Sequence, residues 1–464
     1  MARLSIGRLT LAAWALGASG MGLAGAPAQG APAPGAPAPV RRRETPPPPV
    51  PPPPDAPPGT PGLDRFIYST DQGIHLFQAR VRKNPTDARS YAYLGQFYER
   101  KAKETGSLAY YAKAEAALRE SLRLFPDNAR AAADLAAVLA TQHKFAEALS
   151  VARKVHQENP RDVDALATMS DALLELGEYA EAETNLGLLA ALAPIPPVIA
   201  RLAHLTELKG DPKEAEELME RAATAARKSG GAKAAAWYGV QLGDIAFNNG
   251  RIAEAARRYA AVPKGVDPYH DATFGLGRVR AAQGRYAEAL SLYKKAVAIG
   301  ADPHMLAALG DLYLKLGKAK LAEPLFRQLE RETAGKAEYL RERSLFLADH
   351  GRNLPEALKL AEQDLAQRKD VFGYDALAWA LYKNGRAGEA SKAMAEALKL
   401  GTRDARLFYH AGMIHGRLGD TEKARDYLGR ALALNPHFSL TQAEEARKAL
   451  AALGGAAKAS AGAP

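Results

Sequence analysis

With 464 residues, 47% of them hydrophobic and 25% charged, the chain can bury a core over most of its length, as two or three domains or as one long repetitive one. A formal net charge of +10 and an isoelectric point near 9.4 favour polyanionic partners, yet the excess is spread thinly and the one tight basic run is Arg41-Arg42-Arg43. The absence of cysteine excludes disulfides, thiolate catalysis and cysteine-bound metal, and the dominance of Ala, Leu, Glu, Lys and Arg over aromatics (7%) is a helical composition.

Residues 1–28 have the order of a secretory signal peptide. Arg3 and Arg8 precede an apolar stretch over 9–24, and Ala26-Pro27-Ala28 supplies a small-x-small cleavage site. The alternative, an uncleaved N-terminal membrane tether, is opposed by the shortness of the stretch and by Gly17, Gly20 and Gly22 within it. No cysteine follows for a lipid anchor. Residues 29–63 are a different material: 16 of the chain's 30 prolines lie between Pro27 and Pro61, including "PPPPVPPPP" at 46–54. Such a run packs no core and is expected as an extended, disordered linker, the spacer reading being preferred to a ligand for a proline-recognising module.

From residue 64 to 453 the chain is periodic. One alanine recurs as Ala114, Ala148, Ala182, Ala215, Ala255, Ala289, Ala322, Ala357, Ala390 and Ala424, at spacings of 33 to 35 apart from a single 40. Glycines keep the same beat, from Gly177 and Gly210 to Gly385 and Gly419. The pattern predicts an all-α solenoid. In each unit one amphipathic helix stops at glycine, which accepts the left-handed conformation, and a second helix runs back until a proline such as Pro126 or Pro436 forbids its continuation.

Units are expected near 88–128, 129–162, 163–196, 197–233, 234–269, 270–302, 303–336, 337–370, 371–404 and 405–438. The first carries extra residues between its helices around "KETGSLA". The fourth has a lengthened second helix and a "KSGGAK" connection. The eighth has Arg343 and Ser344 at positions that elsewhere take Leu and Gly. Residues 72–84 form half a unit at the N-terminal end. Thr441 and Glu444 have capping-box spacing for a closing helix at 441–453, with 454–464 as a disordered tail.

The last complete unit, "ARLFYHAGMIHGRLGDTEKARDYLGRALALNPHF", resembles the tetratricopeptide repeat family, with Phe408, Gly412, Ala424, Ala431 and Pro436 at the family's marker positions. The resemblance extends over about residues 88–438 and implies a right-handed α-α solenoid of about ten repeats. It also implies that stacked first helices line a concave groove for partner peptides or helices, with positions two, five, nine and twelve of each unit facing it. These are Phe372, Asp375, Trp379 and Tyr382 in one unit, and Arg406, Tyr409 and Met413 in the next. Aromatics with Met and Arg suit a binding hot spot, although they would equally fill space between adjacent first helices. Tyr91, Tyr93, Phe97, Tyr98, Tyr110 and Tyr111 form a second cluster, read as core or end-capping. The family's carboxylate clamp is absent, since its positions carry Ala92 and Gln96, Ala133 and Ala137, Ala167 and Asp171.

No catalytic motif occurs, no cofactor site is expected, and His410 and His415 are too far round a helix to share a metal. The expectation is a non-enzymatic scaffold, periplasmic or secreted in a bacterium, that binds protein or peptide partners through its groove in assembly of a cell-envelope complex. It would keep no stable membrane span after signal cleavage and could lie close to the membrane. The alternatives are polysaccharide binding by stacked aromatics and RNA binding as in pentatricopeptide repeats. Against nucleic acid stands the alternating sign of Arg130, Asp164, Asp244, Arg278 and Asp311 at groove positions.

Overall fold

The computed structural model describes residues 68–460 apart from 230 and 267, so the signal-peptide and linker expectations lie outside the described residues. Within them are 22 α-helices, a 3-10 turn and no strand. Helix α1 (Thr70–Lys83) opens the array, capped by Ser69 and Gln72 in a reciprocal box. Ten hairpins follow: α2 (Ala88–Thr105) with α3 (Leu108–Leu124), α4 (Ala129–Thr141) with α5 (Phe145–Glu158), α6 (Val163–Glu175) with α7 (Tyr179–Leu192), α8 (Pro196–Leu208) with α9 (Pro212–Lys228) and α10 (Ala232–Asn248) with α11 (Ile252–Ala260). The second five are α12 (Tyr269–Ala282) with α13 (Tyr286–Ile299), α14 (Pro303–Lys315) with α15 (Ala319–Thr333), α16 (Leu340–Asp349) with α17 (Leu354–Gln367), α18 (Val371–Lys383) with α19 (Ala387–Leu398), and α20 (Ala405–Arg417) with α21 (Thr421–Leu434). Helix α22 (Gln442–Ser460) closes the array.

Small residues set the spacing inside each hairpin. Ala148, Ala182, Ala215, Ala289 and Ala424 have no exposed surface, so the second helix lies hard against the first. A Cβ on Gly310 would sit 2.2 Å from Phe326, and one on Gly277 2.4 Å from Tyr293. Ser344 occupies the equivalent place in α16 without exposed surface, because its hydroxyl turns aside and donates to the Ala357 carbonyl at 2.7 Å.

Three expectations need adjustment. The extra residues of the first unit are helical: α2 runs through Lys103-Glu104-Thr105 before Gly106 turns at φ 67°, so the insertion lengthens helices instead of making a loop. The eighth unit enters through a 3-10 turn at Ala337–Tyr339 and a short α16. Thr441 and Glu444 make no capping box, because the Glu444 carboxylate is drawn 2.7 Å from Lys315 of α14 and 3.0 Å from Lys448. Helix α22 continues to Ser460, past the expected end at 453. Most of the tyrosine cluster is core: Phe77 of α1 stacks on Tyr93 and Phe97 at 4.9 and 5.7 Å, Phe97, Tyr98 and Tyr111 are buried, and Tyr93 and Tyr110 pack half-buried against them, while Tyr91 stays at the edge.

The superhelix closes on itself. Three turn glycines of early units abut main-chain carbonyls of late ones: a Cβ on Gly177, Gly210 or Gly250 would lie 2.4 Å from Lys369 O, 2.4 Å from Gly401 O or 2.6 Å from Leu434 O. Hydrogen bonds between partners 188 to 194 residues apart accompany them. The Val371 amide donates to the Tyr179 hydroxyl at 2.9 Å, Thr402 Oγ1 to Leu208 O at 2.5 Å, and Asn435 Nδ2 to Phe247 O at 2.8 Å. His143, one unit before Gly177, takes the left-handed conformation without being glycine (φ 60°) and is buried opposite Asp364 and Arg368.

Candidate functional site

Closure along this seam turns the inner faces of the first helices into the walls of a cavity of about 650 Å³. Phe247, Phe274, Tyr293 and Phe346 provide apolar wall, and Glu175, His204, Arg278 and Asp311 provide polar wall. A cavity of this size with mixed lining is in the range that holds a small ligand or a short stretch of peptide.

Two of the seven groove residues expected from the sequence, Phe372 and Arg406, lie on this wall. Asp375, Trp379 and Tyr409 do not reach a surface, with exposures of 0, 2 and 0%. The Trp379 ring is stacked on His410 at 4.1 Å and on Tyr382 at 5.0 Å, and its Nε1 donates to Asp349 at 2.7 Å. Asp375 faces His410 Nδ1 at 2.8 Å, and the Tyr409 hydroxyl donates to Glu445 at 2.6 Å. Tyr382 and Met413 are half-buried against the same apolar cluster. Neighbouring first helices approach so closely that side chains at positions five and nine are spent on one another.

The result is a ladder of polar pairs between successive first helices, which periodicity alone did not reveal. Asp171 receives two hydrogen bonds from Arg201 at 2.6 and 2.7 Å, Asp244 receives Arg278 at 2.9 Å, and Asp311 faces His350 at 2.7 Å. Asp349–Trp379 and Asp375–His410 continue it. The alternating charge signs along the first helices were its trace in the sequence. Burial opposes a charge on His350, but the hydrogen bond and field of Asp311 outweigh it and raise its pKa above the ordinary value.

At other buried groups on the cavity wall burial prevails. Burial pushes the Glu175 carboxyl up to about 7 and lowers His204 to about 4. Glu175 Oε2, Glu342 Oε2 and His204 Nδ1 are buried without a hydrogen-bond partner in the protein. Among the described residues no group of three or more His, Asp or Glu is placed to hold a metal ion, and no helix is long and apolar enough to cross a membrane.

Three tetratricopeptide-repeat family models match the chain, over residues 139–205, 240–304 and 405–438. The chain is a tetratricopeptide-repeat protein. Members of this family are generally non-catalytic scaffolds with protein partners. A curated relative, the cytochrome c-type biogenesis protein CycH of Rhizobium meliloti (strain 1021), is 33% identical over 114 residues. The match spans 25% of this tetratricopeptide-repeat chain and 27% of the length of the relative. Among solved structures, the Cut9–Hcn1 hetero-tetramer of APC/C gives a TM-score of 0.35 at 14% identity, covering 82% of this chain and 93% of that one. Yeast Tom70 gives 0.31 at 15%, covering 79% and 96%. A tetratricopeptide repeat protein from Parabacteroides merdae ATCC 43184 gives 0.33 at 17%, covering 56% and 99%.

Proposed function

We propose that this protein is a non-enzymatic scaffold that binds a peptide segment of a partner protein along the inner face of its superhelix, in the assembly of a cell-envelope complex. The observation that carries this reading is the cavity itself. Repeats that spent every inner side chain on one another would leave no room, yet here Phe372 and Arg406 line open space beside buried polar groups with no partner in the protein. The export signal read in residues 1–28 supports a periplasmic or secreted place of work, and the partial likeness to a cytochrome c-type biogenesis protein supports an assembly role.

The test is photo-crosslinking in the native host, with a crosslinkable residue at Arg406 and a control at the exposed Lys392 of α19. Capture of one dominant protein at 406 but not at 392 is the expected result. Equal capture at both positions, or self-crosslinks alone, would refute the inner face as the binding surface.

A further inference from the structure

The cavity wall where the end of α6 meets the starts of α16 and α18 holds more acid than base. Arg341 donates to Asp364 at 2.8 Å and, through its two terminal nitrogens, to Asp370 at 3.0 and 2.8 Å. Arg368 donates to the other oxygen of Asp364 through Nε at 2.8 Å, and also through Nη2. Two guanidinium groups are thus matched to two carboxylates. Glu175 and Glu342 stand beside the same hub and line the same cavity. Each keeps one buried oxygen, Oε2, with no donor in the protein, and Glu175 is only 5% exposed.

Arg343, next along α16 from Glu342, has a buried Nε with no partner of its own, and His204, Arg278 and Arg406 stand elsewhere on the cavity wall. Facing Glu175 are Asp370, Arg368, Arg341 and Asp364, with the Tyr179 hydroxyl close by on α7. His143 faces the hub from the turn before α5, and burial holds it neutral with its pKa down at about 3. When both glutamates ionise, two negative charges are left without a partner. Apolar surface adjoins them: Leu174, Leu345, Phe346 and Phe372 line the cavity alongside.

We propose that this wall is the subsite for one cationic side chain, lysine or arginine, carried on the peptide segment that the superhelix binds. An ammonium or guanidinium group brings three or five N–H donors to the two free carboxylate oxygens, while its aliphatic stem lies on the apolar wall. A free amine has the same headgroup chemistry, but the cavity extends far beyond one ammonium group, which favours a cation attached to a chain. The inference rests on the inner-face reading above.

Proton linkage gives it a signature. Burial keeps Glu175 protonated up to about pH 7 and raises Glu342 as well. A cation entering must displace that proton, so binding tightens as pH rises and releases protons. With Glu175 titrating near 7, its ionised fraction differs about tenfold between pH 6 and pH 8, and so should affinity.

The experiment is calorimetric titration of the full chain with the blocked peptide acetyl-Ala-Ala-Lys-Ala-Ala-amide, its norleucine counterpart and n-butylammonium, at pH 6 and 8. The lysine peptide should bind about tenfold more tightly at pH 8, with proton release. At pH 8, Glu175→Gln and, separately, Glu342→Gln should each weaken it about tenfold or more, and Glu175→Gln should also flatten the pH dependence, while thermal melts show both variants folded. Equal binding of the norleucine peptide, no effect of either glutamine, no binding by any probe, or butylammonium binding as tightly as the peptide would each overturn the proposal. The two readings fail separately: capture at Arg406 that is equal in the wild type and Glu175→Gln retains the inner face and removes the cation subsite. Loss of all capture at Arg406 removes the inner face itself.

Discussion

Trp379 has its ring held between His410 and Tyr382 and its Nε1 on Asp349, within an apolar cluster that reaches from α12 to α22. Aromatic stacking and a hydrogen bond at one buried side chain make it a structural anchor. Trp379→Ala should therefore cost about 3–5 kcal/mol in denaturant unfolding, the range for a truncated core aromatic. Trp379→Phe keeps most of the packing and loses the hydrogen bond, while Asp349 retains the Gln442 amide at 2.7 Å, so about 1–2 kcal/mol is expected. A Trp379→Ala protein that melts like the wild type but no longer binds its partner would reverse this assignment. Gly310→Ala probes the opposite fault, since its Cβ would meet Phe326 at 2.2 Å. Overpacking there should cost about 1–3 kcal/mol, and an unchanged melting temperature would mean that α14 and α15 can part freely.

Helices and their pairing were legible in the sequence because they follow from local chemistry: a 34-residue beat, small residues at the hairpin interface, and glycine where a helix must stop. The ladder between first helices was less legible. Asp171 and Arg201 lie thirty positions apart and each alone looks like an ordinary solvated charge, so only the distance between stacked helices makes them a pair. Because both are buried, removing one partner strands the other. Arg201→Ala should cost about 3–5 kcal/mol, whereas the double change Asp171→Leu with Arg201→Met should recover most of that. Urea unfolding of the wild type and the two variants decides it; a single change costing less than about 1 kcal/mol would show that the pair is reached by water. Glu175 gives the ladder's neighbourhood a pH dependence of known sign. Its folded-state pKa is raised to about 7 by burial, so the fold favours the protonated form. Its contribution is present at low pH and lost as pH rises through 7. Wild-type stability should fall between pH 6 and 8 relative to Glu175→Gln, and parallel profiles for the two proteins would place the titration elsewhere.

Closure of the superhelix belongs to the whole molecule, and no local pattern encodes it. The sequence marks Gly177, Gly210 and Gly250 only as helix stops, identical in kind to Gly284 and Gly317. The difference is pitch: each of the first three meets a carbonyl from the next superhelical turn at a distance that excludes a Cβ, while Gly284 and Gly317 have nothing within 4 Å. All five are left-handed, at φ between 71° and 85°. This permits a controlled comparison. Gly284→Ala with Gly317→Ala pays only the left-handed penalty of about 1 kcal/mol or more per site. Gly177→Ala with Gly210→Ala pays the same penalty and also drives two methyl groups into the Lys369 and Gly401 carbonyls. Both pairs should melt below the wild type with unchanged helix content by circular dichroism. Only the seam pair should enlarge the radius of gyration in small-angle scattering, because only there must successive turns separate, and an open seam would dissolve the cavity that Phe372 and Arg406 line. Equal radii in the two double variants would mean that the turns are held by the hydrogen bonds of Tyr179, Thr402 and Asn435 alone, and that the glycines merely tolerate the contact.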